Sequence, residues 1–262
     1  MGNAPHLLPP IERLARTMWY TGWLPPSAQV IDRPELCCVV SPIHPGQNAV
    51  VRFRPAREGT HALMDEISSL YGEAPCKFGL YPHVHGPDVV DALEQHGFRP
   101  GKRHDARILP VDSYRPRPSS GITVRQVQTL DDVRQLYDLR SLAFGEPNTL
   151  QDADLRHYLA GCTGPDTMAR QFMAFDEAGG TPIAQAGLAL HKSVRLGFFF
   201  AGATLEAYRG RGAYSALVAA RVAYAKRAGF DAVGLFAVED TSSPIVARQG
   251  FRQCGTMTYW AR

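Results

Sequence analysis

The chain has 262 residues, of which 45% are hydrophobic and 20% charged, and its formal net charge is +3. This balance indicates a folded protein of one to two domains and excludes a disordered one. The small positive excess argues against a nucleic-acid-binding protein, and no apolar run approaches the ~18–20 residues of a membrane span.

The clearest break in the chain lies at residues 112–121, where prolines, serines and a glycine occur without apolar periodicity. This composition is typical of a linker. It separates residues 1–111 from residues 122–262, and each half has the size of a domain. We therefore expect two domains joined by a linker.

The second half predicts an alternating series of strands and helices. A short strand at 122–125 precedes a helix that Thr129 can cap, and Gly145 begins the turn that ends it. Three strands joined by hairpins are expected next, and then a helix with Gly229 just past its end. The later elements, in order, are strands at 171–175, 183–190 and 196–205, a helix at 212–228, a strand at 232–238, a helix at 242–249 and a strand at 256–261.

The first half contains an echo of this order. The segment Phe78-Gly79-Leu80-Tyr81 leads to Gly97-Phe98, just as Val233-Gly234-Leu235-Phe236 leads to Gly250-Phe251. The two glycines are 18 residues apart in the first half and 16 in the second. A repeated order of strand, helix and Gly-Phe predicts a duplicated unit.

One motif carries chemistry: the segment Arg209-Gly210-Arg211-Gly212-Ala213-Tyr214, between a predicted strand and a predicted helix. The start of a helix presents unpaired backbone N–H groups and a partial positive charge. Gly210 and Gly212 allow the backbone to approach an anion closely, and Arg209 and Arg211 add positive charge. The motif therefore predicts a pyrophosphate cradle. It is neither a Walker loop nor G-x-G-x-x-G, because Ser215 stands where the third glycine is needed.

This segment resembles the acetyl-CoA-binding loop of the GCN5-related N-acetyltransferases (GNAT), whose pattern is Arg/Gln-x-x-Gly-x-Gly/Ala. Arg209 and Gly212 match the pattern, whereas Tyr214 stands at its last small position. The preceding Ala203, Thr204 and Leu205 look like the strand whose backbone binds the pantetheine arm. The resemblance implies an α/β fold with a mixed, mostly antiparallel sheet flanked by helices, here as two tandem units. It covers residues 122–262, and the first half would be a degenerate copy, because its loop at 54–61 has a single glycine.

Two departures from the family pattern concern catalysis. Many members have a tyrosine four residues before the Gly-Phe glycine and an asparagine seven residues before that; here these positions hold Val246 and Glu239. The strand that often carries a carboxylate base reads Phe198-Phe199-Phe200. The remaining candidates for a general base are Glu239, after the strand that borders the cofactor cleft, and His191, at the end of a strand. Glu239 can equally be a helix-capping charge, and His191 a surface turn residue.

The resemblance implies transfer of an acetyl or short acyl group from acetyl-CoA to a primary amine, by direct attack and without a covalent intermediate. We expect a small-molecule amine as substrate and no nucleic-acid or membrane partner, and a homodimer stays open. A catalytically inactive acyl-CoA-binding or sensing module is the alternative, and a protein-interaction role of the first half is a second one.

Metal and redox motifs are weak. His83-x-His85 lacks a nearby third ligand, so we expect no metal site. The five cysteines form no C-x-x-C pair, and the first residues show no basic region followed by an apolar one. These features favour a cytoplasmic protein.

Overall fold

The computed structural model describes residues 8–262 except 23, 25–26, 43–44, 57, 146–149, 165 and 177–179. Within these residues the chain forms seven α-helices and eleven β-strands. The helices are α1 (Pro10–Thr17), α2 (Thr60–Tyr71), α3 (Pro87–Gln95), α4 (Leu130–Phe144), α5 (Asp152–Thr163), α6 (Ala213–Arg227) and α7 (Ser242–Arg248). The strands are β1 (Gln29–Asp32), β2 (Leu36–Val40), β3 (Ala49–Phe53), β4 (Lys77–Leu80), β5 (Arg99–Pro110), β6 (Ile122–Gln126), β7 (Ala169–Asp176), β8 (Pro182–His191), β9 (Leu196–Thr204), β10 (Ala232–Val238) and β11 (Arg252–Ala261).

The chain divides into two compact units. The C-terminal unit comprises, among the described residues, Ile108–Leu235 and Val246–Arg252. The N-terminal unit comprises Leu8–Arg107, Phe236–Ile245 and Gln253–Arg262. Two segments from the end of the chain thus belong to the N-terminal unit, whereas the predicted domains, 1–111 and 122–262, place them in the second half.

The C-terminal unit has the strand order β10-β9-β8-β7-β6. Strands β6 to β9 pair antiparallel, which confirms the predicted hairpins, and β10 is parallel to β9. The parallel pair requires a crossover, and α6 supplies it. The predicted capping of α4 is confirmed, because Thr129 and Asp132 exchange side-chain and backbone hydrogen bonds. Helix α5 was not predicted.

The N-terminal unit has the strand order β1-β2-β3-β4-β11-β5. Strand β2 is antiparallel to both β1 and β3, and β3 is parallel to β4. The last strand of the chain, β11, pairs antiparallel with β4, with Thr258 opposite Leu80. Beyond this pairing, Cys76 and Arg262 exchange backbone hydrogen bonds of 3.1 and 3.2 Å.

The repeated Gly-Phe motif has the same local structure in both halves of the chain. Gly97 and Gly250 have φ angles of +80° and +95°, which only glycine adopts without strain. The N–H of Phe98 donates to Leu93 O at 3.0 Å, and that of Phe251 donates to Val246 O at 3.3 Å. Both phenylalanines are buried. The helix that follows β4 and the helix that follows β10 therefore share the glycine conformation, the hydrogen bond and the buried ring at their ends.

Each unit has its own apolar core. That of the C-terminal unit includes Val133, Leu136 and Met173, and that of the N-terminal unit includes Met64, Phe78 and Trp260 from β11. No helix in the described ranges is both long and apolar enough to cross a membrane.

Candidate functional site

The segment Arg209–Tyr214, named the anion cradle, links β9 to α6 through a short turn. Gly210 and Gly212 have φ angles of +78° and +90°, so both glycines are needed for the backbone path. Among the described residues, no carbonyl or side chain accepts a hydrogen bond from the backbone N–H groups at positions 210–215. The first helical bond of α6 runs from Ala216 N to Gly212 O at 3.0 Å. The cradle therefore presents a set of unclaimed donors that suits an anion.

The charges of the cradle are positive and accessible. Arg209 and Arg211 are exposed, and neither forms an ion pair within the described part of the chain. The Arg211 guanidinium carbon lies 5.0 Å from the centroid of the Tyr208 ring, which limits the directions that this side chain adopts. Helix dipole and formal charges thus act in the same sense at one place.

Strand β9 leaves its parallel partner early. It pairs with β10 over only three positions, from Leu196 to Phe198, and then continues to Thr204. On its other side, Ala203 lies opposite Gln185, and Leu205 N donates to Ile183 O at 2.9 Å. The backbone of Ala203 and Thr204 consequently has one edge paired with β8 and no partner from β10.

A β-bulge shapes the end of β9. Ala201 and Gly202 together oppose Ala186. Ala201 has a φ of +48°, an uncommon conformation for a residue with a side chain. The fully buried Gln185 side chain donates its amide to the Ala201 carbonyl and so holds the bulge. Such a bulge redirects the strand, here directly before Ala203.

The structure explains how Tyr214 is accommodated at a position where the family pattern has a small residue. Its ring lies against Gly202, and a Cβ built on Gly202 would be 3.3 Å from Tyr214 Cε2. Burial raises the pKa of the Tyr214 hydroxyl. The missing side chain at 202 therefore makes room for the large one at 214.

Sequence reasoning did not identify Arg221, the largest fully buried side chain described. Its Nε donates to Leu217 O at 3.0 Å and its Nη1 to Gly187 O at 3.2 Å, which joins α6 to β8. Desolvation lowers the pKa of Arg221 to about 10. The sequence offers one signal for the burial of Arg221: it stands among apolar residues of helical spacing, on the buried face of α6.

The sequence model of the acetyltransferase (GNAT) family matches residues 133–251, which include β9, the cradle, α6 and β10. The chain is thus similar to the GNAT family over 119 of its 262 residues. No curated protein matches the sequence.

Solved structures show the same fold at low sequence identity. A GCN5-related N-acetyltransferase from Sphaerobacter thermophilus is 18% identical, with a TM-score of 0.63 over 88% of this chain and 82% of that one. A GCN5-related N-acetyltransferase from Kribbella flavida is 17% identical, with a TM-score of 0.64 over 100% and 96%. A tandem GNAT protein from the clavulanic acid biosynthesis pathway is 14% identical, with a TM-score of 0.64 over 91% and 84%. The predicted GNAT-like mixed sheet is therefore confirmed, and the tandem neighbour is consistent with two units.

The first catalytic candidate, Glu239, directly follows β10 and lies in the N-terminal unit. Its side chain is 41% exposed, and Oε1 lies 3.6 Å from Nη1 of Arg103. The Glu239 N–H donates to Arg103 O at 3.1 Å, which fixes the backbone at this position. The carboxylate is thus accessible and held by one cation, and its catalytic role stays a prediction.

The second candidate, His191, is buried rather than exposed in a turn. It lies opposite Leu196, at the start of β9, whereas the cradle follows the end of that strand. Burial lowers the pKa of His191 to about 4. His191 thus has a neutral imidazole and lies beside the first residue of β9, far from the cradle. It is a weaker candidate for the general base than Glu239, and this role also stays a prediction.

Val246, at the position of the family tyrosine, is buried and has no group that can donate a proton.

A polar network that sequence reasoning missed lies in the N-terminal unit. The buried Asp105 accepts hydrogen bonds from Ser243, from Arg107 at 3.1 Å and from Gln253 at 2.7 Å. Because its donors come from β5, α7 and β11, the network holds these three elements together.

The corresponding loop of the N-terminal unit, which enters α2, differs from the cradle. Its Gly59 has a φ of −98°, and Arg57 of this loop lies outside the described residues. Thr60 donates to the carboxylate of Asp88 at 3.0 Å. Both residues, with Arg54, line a cavity of about 560 Å³. The negative charge of Asp88 near the start of α2 disfavours the binding of a pyrophosphate there.

The two histidines considered for metal binding have other partners. Tyr81 N–H donates to Nδ1 of His85 at 3.0 Å, and Nε2 of His85 is 2.9 Å from Phe53 O. His83 lies 3.6 Å from Glu12. In the described part of the chain, no group of three or more His, Cys, Asp or Glu side chains is placed to hold a metal ion.

Proposed function

We propose that this chain transfers an acetyl or short acyl group from CoA to a primary amine of a small molecule. The observation that carries the proposal is the anion cradle, Arg209–Tyr214, within the region that matches the GNAT family model. Its backbone N–H groups from Gly210 onward have no acceptor among the described residues, and its two arginines are exposed. The residues present fit a pyrophosphate, since the donors, the positive charge and the absence of side chains at Gly210 and Gly212 all favour one.

In this proposal the cradle holds the pyrophosphate of acetyl-CoA, and the backbone of Ala203, Thr204 and Leu205 holds the pantetheine arm. The unpaired edge of β9 supports the second assignment, because an extended arm can add to it as a strand does. The thioester carbonyl would then lie along β9, near Phe198–Phe200, whose apolar side chains would favour attack by a neutral amine.

The chemistry follows from the thioester. The amine nitrogen attacks the carbonyl carbon, the C–S bond breaks, and CoA leaves as a thiolate. A thiol pKa of about 8–9 makes this an adequate leaving group without a strong acid, so Val246 in place of a tyrosine is tolerable. Glu239 accepts the proton of the amine, directly or through water. His191 is the second candidate for this step.

The alternative is a module that binds acyl-CoA without turning it over. Two observations favour it: Val246 provides no acid, and Phe198–Phe200 provides no base. Free-thiol release from acetyl-CoA with a library of amines, followed by mass spectrometry of the products, separates the two. Binding without thiol release for any amine identifies the inactive module.

The site itself is tested by calorimetry with acetyl-CoA on the variant Gly212→Asp. A carboxylate at the cradle should weaken binding by about 10²-fold or more, because like charges meet in the place of the pyrophosphate. Gly229→Asp is the matched control, since Gly229 also has a left-handed φ, +81°, but lies past the other end of α6. Unchanged binding in folded Gly212→Asp protein would exclude this site.

A further inference from the structure

Residues 112–121, which the sequence predicts as a linker and which we name the strap, lie along α6. At the C-terminal end of the helix, Lys226 pairs with Asp112 at 2.8 Å, and Val111 N donates to Asp231 O at 3.0 Å. At the N-terminal end, Ser119 lies beside Gly212, with its Cβ 3.3 Å from the position of a Cβ on that glycine. The strap therefore runs antiparallel to α6.

The dimensions of the two segments agree. From Gly212 to Lys226 an α-helix rises about 21 Å. The strap begins in the 3₁₀ turn Val111–Ser113 and is extended from Tyr114, so that Asp112 to Ser119 spans about 20 Å. Pro116 and Pro118 restrict the backbone of the strap to extended conformations. The strap is thus long enough and stiff enough to place Ser119 at the start of α6 whenever Asp112 is at its end.

The middle of the strap is anchored by Tyr114. This side chain is 8% exposed, and its hydroxyl is a buried oxygen without a hydrogen-bond partner in the described structure. Nη2 of Arg221, on the facing side of α6, is likewise buried without one. Burial raises the pKa of the Tyr114 hydroxyl, and the charges of Arg117 and Arg221 oppose this effect in part. The buried ring of Tyr114 therefore fixes the strap against α6.

Ser119 has the features of a ligand for an anion in the cradle. It is half-buried, and no hydrogen bond to its hydroxyl is found among the described residues. It lies next to Gly212, one of the residues whose N–H groups are unclaimed. A hydroxyl donates to a phosphate oxygen and adds no charge, so it complements the two arginines.

We propose that Ser119 is a coenzyme-binding residue, which donates its hydroxyl to the pyrophosphate of acyl-CoA, and that the strap is a wall of the cradle. This inference rests on the proposed function. It makes the segment between the two halves of the chain part of the donor site. It also makes the charge at position 119 decisive, since a negative charge there would face the pyrophosphate.

Calorimetry with acetyl-CoA tests this on the full chain with the isosteric pair Ser119→Asn and Ser119→Asp. We expect Ser119→Asn to bind within about fivefold of the parent and Ser119→Asp to bind about tenfold to hundredfold more weakly. Ser113→Asp, which places the same charge at the other end of the strap, should bind as the parent does. Ser119→Ala, expected to bind about threefold to tenfold more weakly, serves if the larger side chains prevent folding.

A second acyl donor distinguishes a direct effect of Ser119 on phosphate binding from a structural effect of its replacement. Acetyl-pantetheine keeps the thioester and the arm but has no phosphate, so kcat/KM for it should be equal in parent and Ser119→Asp. Parental acetyl-CoA affinity in Ser119→Asp, or equal losses in the Asn and Asp variants with both donors, would overturn the assignment of Ser119. Failure of the parent to bind acetyl-CoA would instead overturn the proposed function, and this inference with it.

Discussion

The guanidinium carbon of Arg221 lies 3.8 Å from the centroid of the Phe199 ring. This stacked pair joins the buried face of α6 to β9, and no carboxylate is among the hydrogen-bond partners of the arginine in the described structure. A buried charge without a counter-ion is costly. The Phe199 ring and two carbonyl groups offset part of this cost, whereas Nη2 is buried without a hydrogen-bond partner in the described structure. Arg221 thereby holds the helix that begins with the cradle.

Replacement of Arg221 tests this relationship. We expect Arg221→Lys to lower the free energy of unfolding by about 2–4 kcal/mol, because an ammonium loses the stacking and the bond to Gly187 while its charge stays buried. Arg221→Met, which removes the charge and keeps the bulk, should cost less. Urea denaturation measures both. A lysine variant as stable as the parent would contradict the role of the planar group.

The contact between Gly202 and Tyr214 predicts a coupled pair of positions. Gly202→Ala places a Cβ 3.3 Å from Tyr214 Cε2, so we expect a loss of about 1 kcal/mol of unfolding free energy. In the Tyr214→Ala background the same change should cost little, since the ring is absent. A double-mutant cycle by urea denaturation measures the coupling, and simple additivity would show that the contact is unimportant.

The buried His191 predicts a loss of stability in acid. Its pKa is lowered to about 4 in the folded chain, whereas an unfolded histidine titrates near 6.5. The unfolded state therefore binds more protons between these values, and the unfolding free energy falls as the pH drops from about 6.5 to 4, by up to about 3 kcal/mol. Above pH 7 both states are neutral, and the effect is absent.

The variant His191→Gln should show a shallower decrease of unfolding free energy over this pH range, as measured by urea denaturation at a series of pH values. The exposed His157 provides a matched control variant, His157→Gln. Equal slopes in the parent and in His191→Gln would refute the inferred effect of burial.

The proposed role of Glu239 predicts a loss of turnover without a loss of donor binding. Glu239→Gln should lower kcat at pH 7 by about 10²–10⁴-fold and shift the acid limb of the pH profile, with acetyl-CoA affinity little changed. The neighbouring Asp240 is exposed, so Asp240→Asn is a matched control. If Glu239→Gln retains the parental rate and profile, Glu239 is not the base; if His191→Ala does so as well, the amine arrives already neutral.

The difference between the two loops predicts one acyl-CoA per chain. The cradle combines left-handed glycines with exposed arginines. In the described part of the N-terminal loop, Gly59 has a φ of −98° and Asp88 lies near the start of α2. Calorimetric titration with acetyl-CoA should give a stoichiometry near one, and Gly212→Asp should abolish it rather than reveal a second site. Two equal sites in the parent would contradict the prediction that the first half is degenerate.

Sequence by itself determined those features that depend on local backbone requirements. The Gly-Phe pairs at 97–98 and 250–251 indicate a helix ending, because a left-handed residue is needed there whatever surrounds it. Apart from α5, the strands and helices of the second half follow from alternation and periodicity, and the open donors from Gly210 onward follow from the geometry of any helix start.

Only the tertiary structure decided which distant segments meet. The pairing of Thr258 with Leu80 joins residues far apart in the chain, and backbone hydrogen bonds that form it are the same for every residue type. The burial of His191 and Arg221 likewise depends on what packs over them, and so does the seating of the strap through Tyr114. A proline-rich segment has the same backbone preferences in solvent as when it packs on a helix. The sequence of the strap therefore does not indicate its position, and only the contact with Gly212 makes Ser119 a candidate for the site.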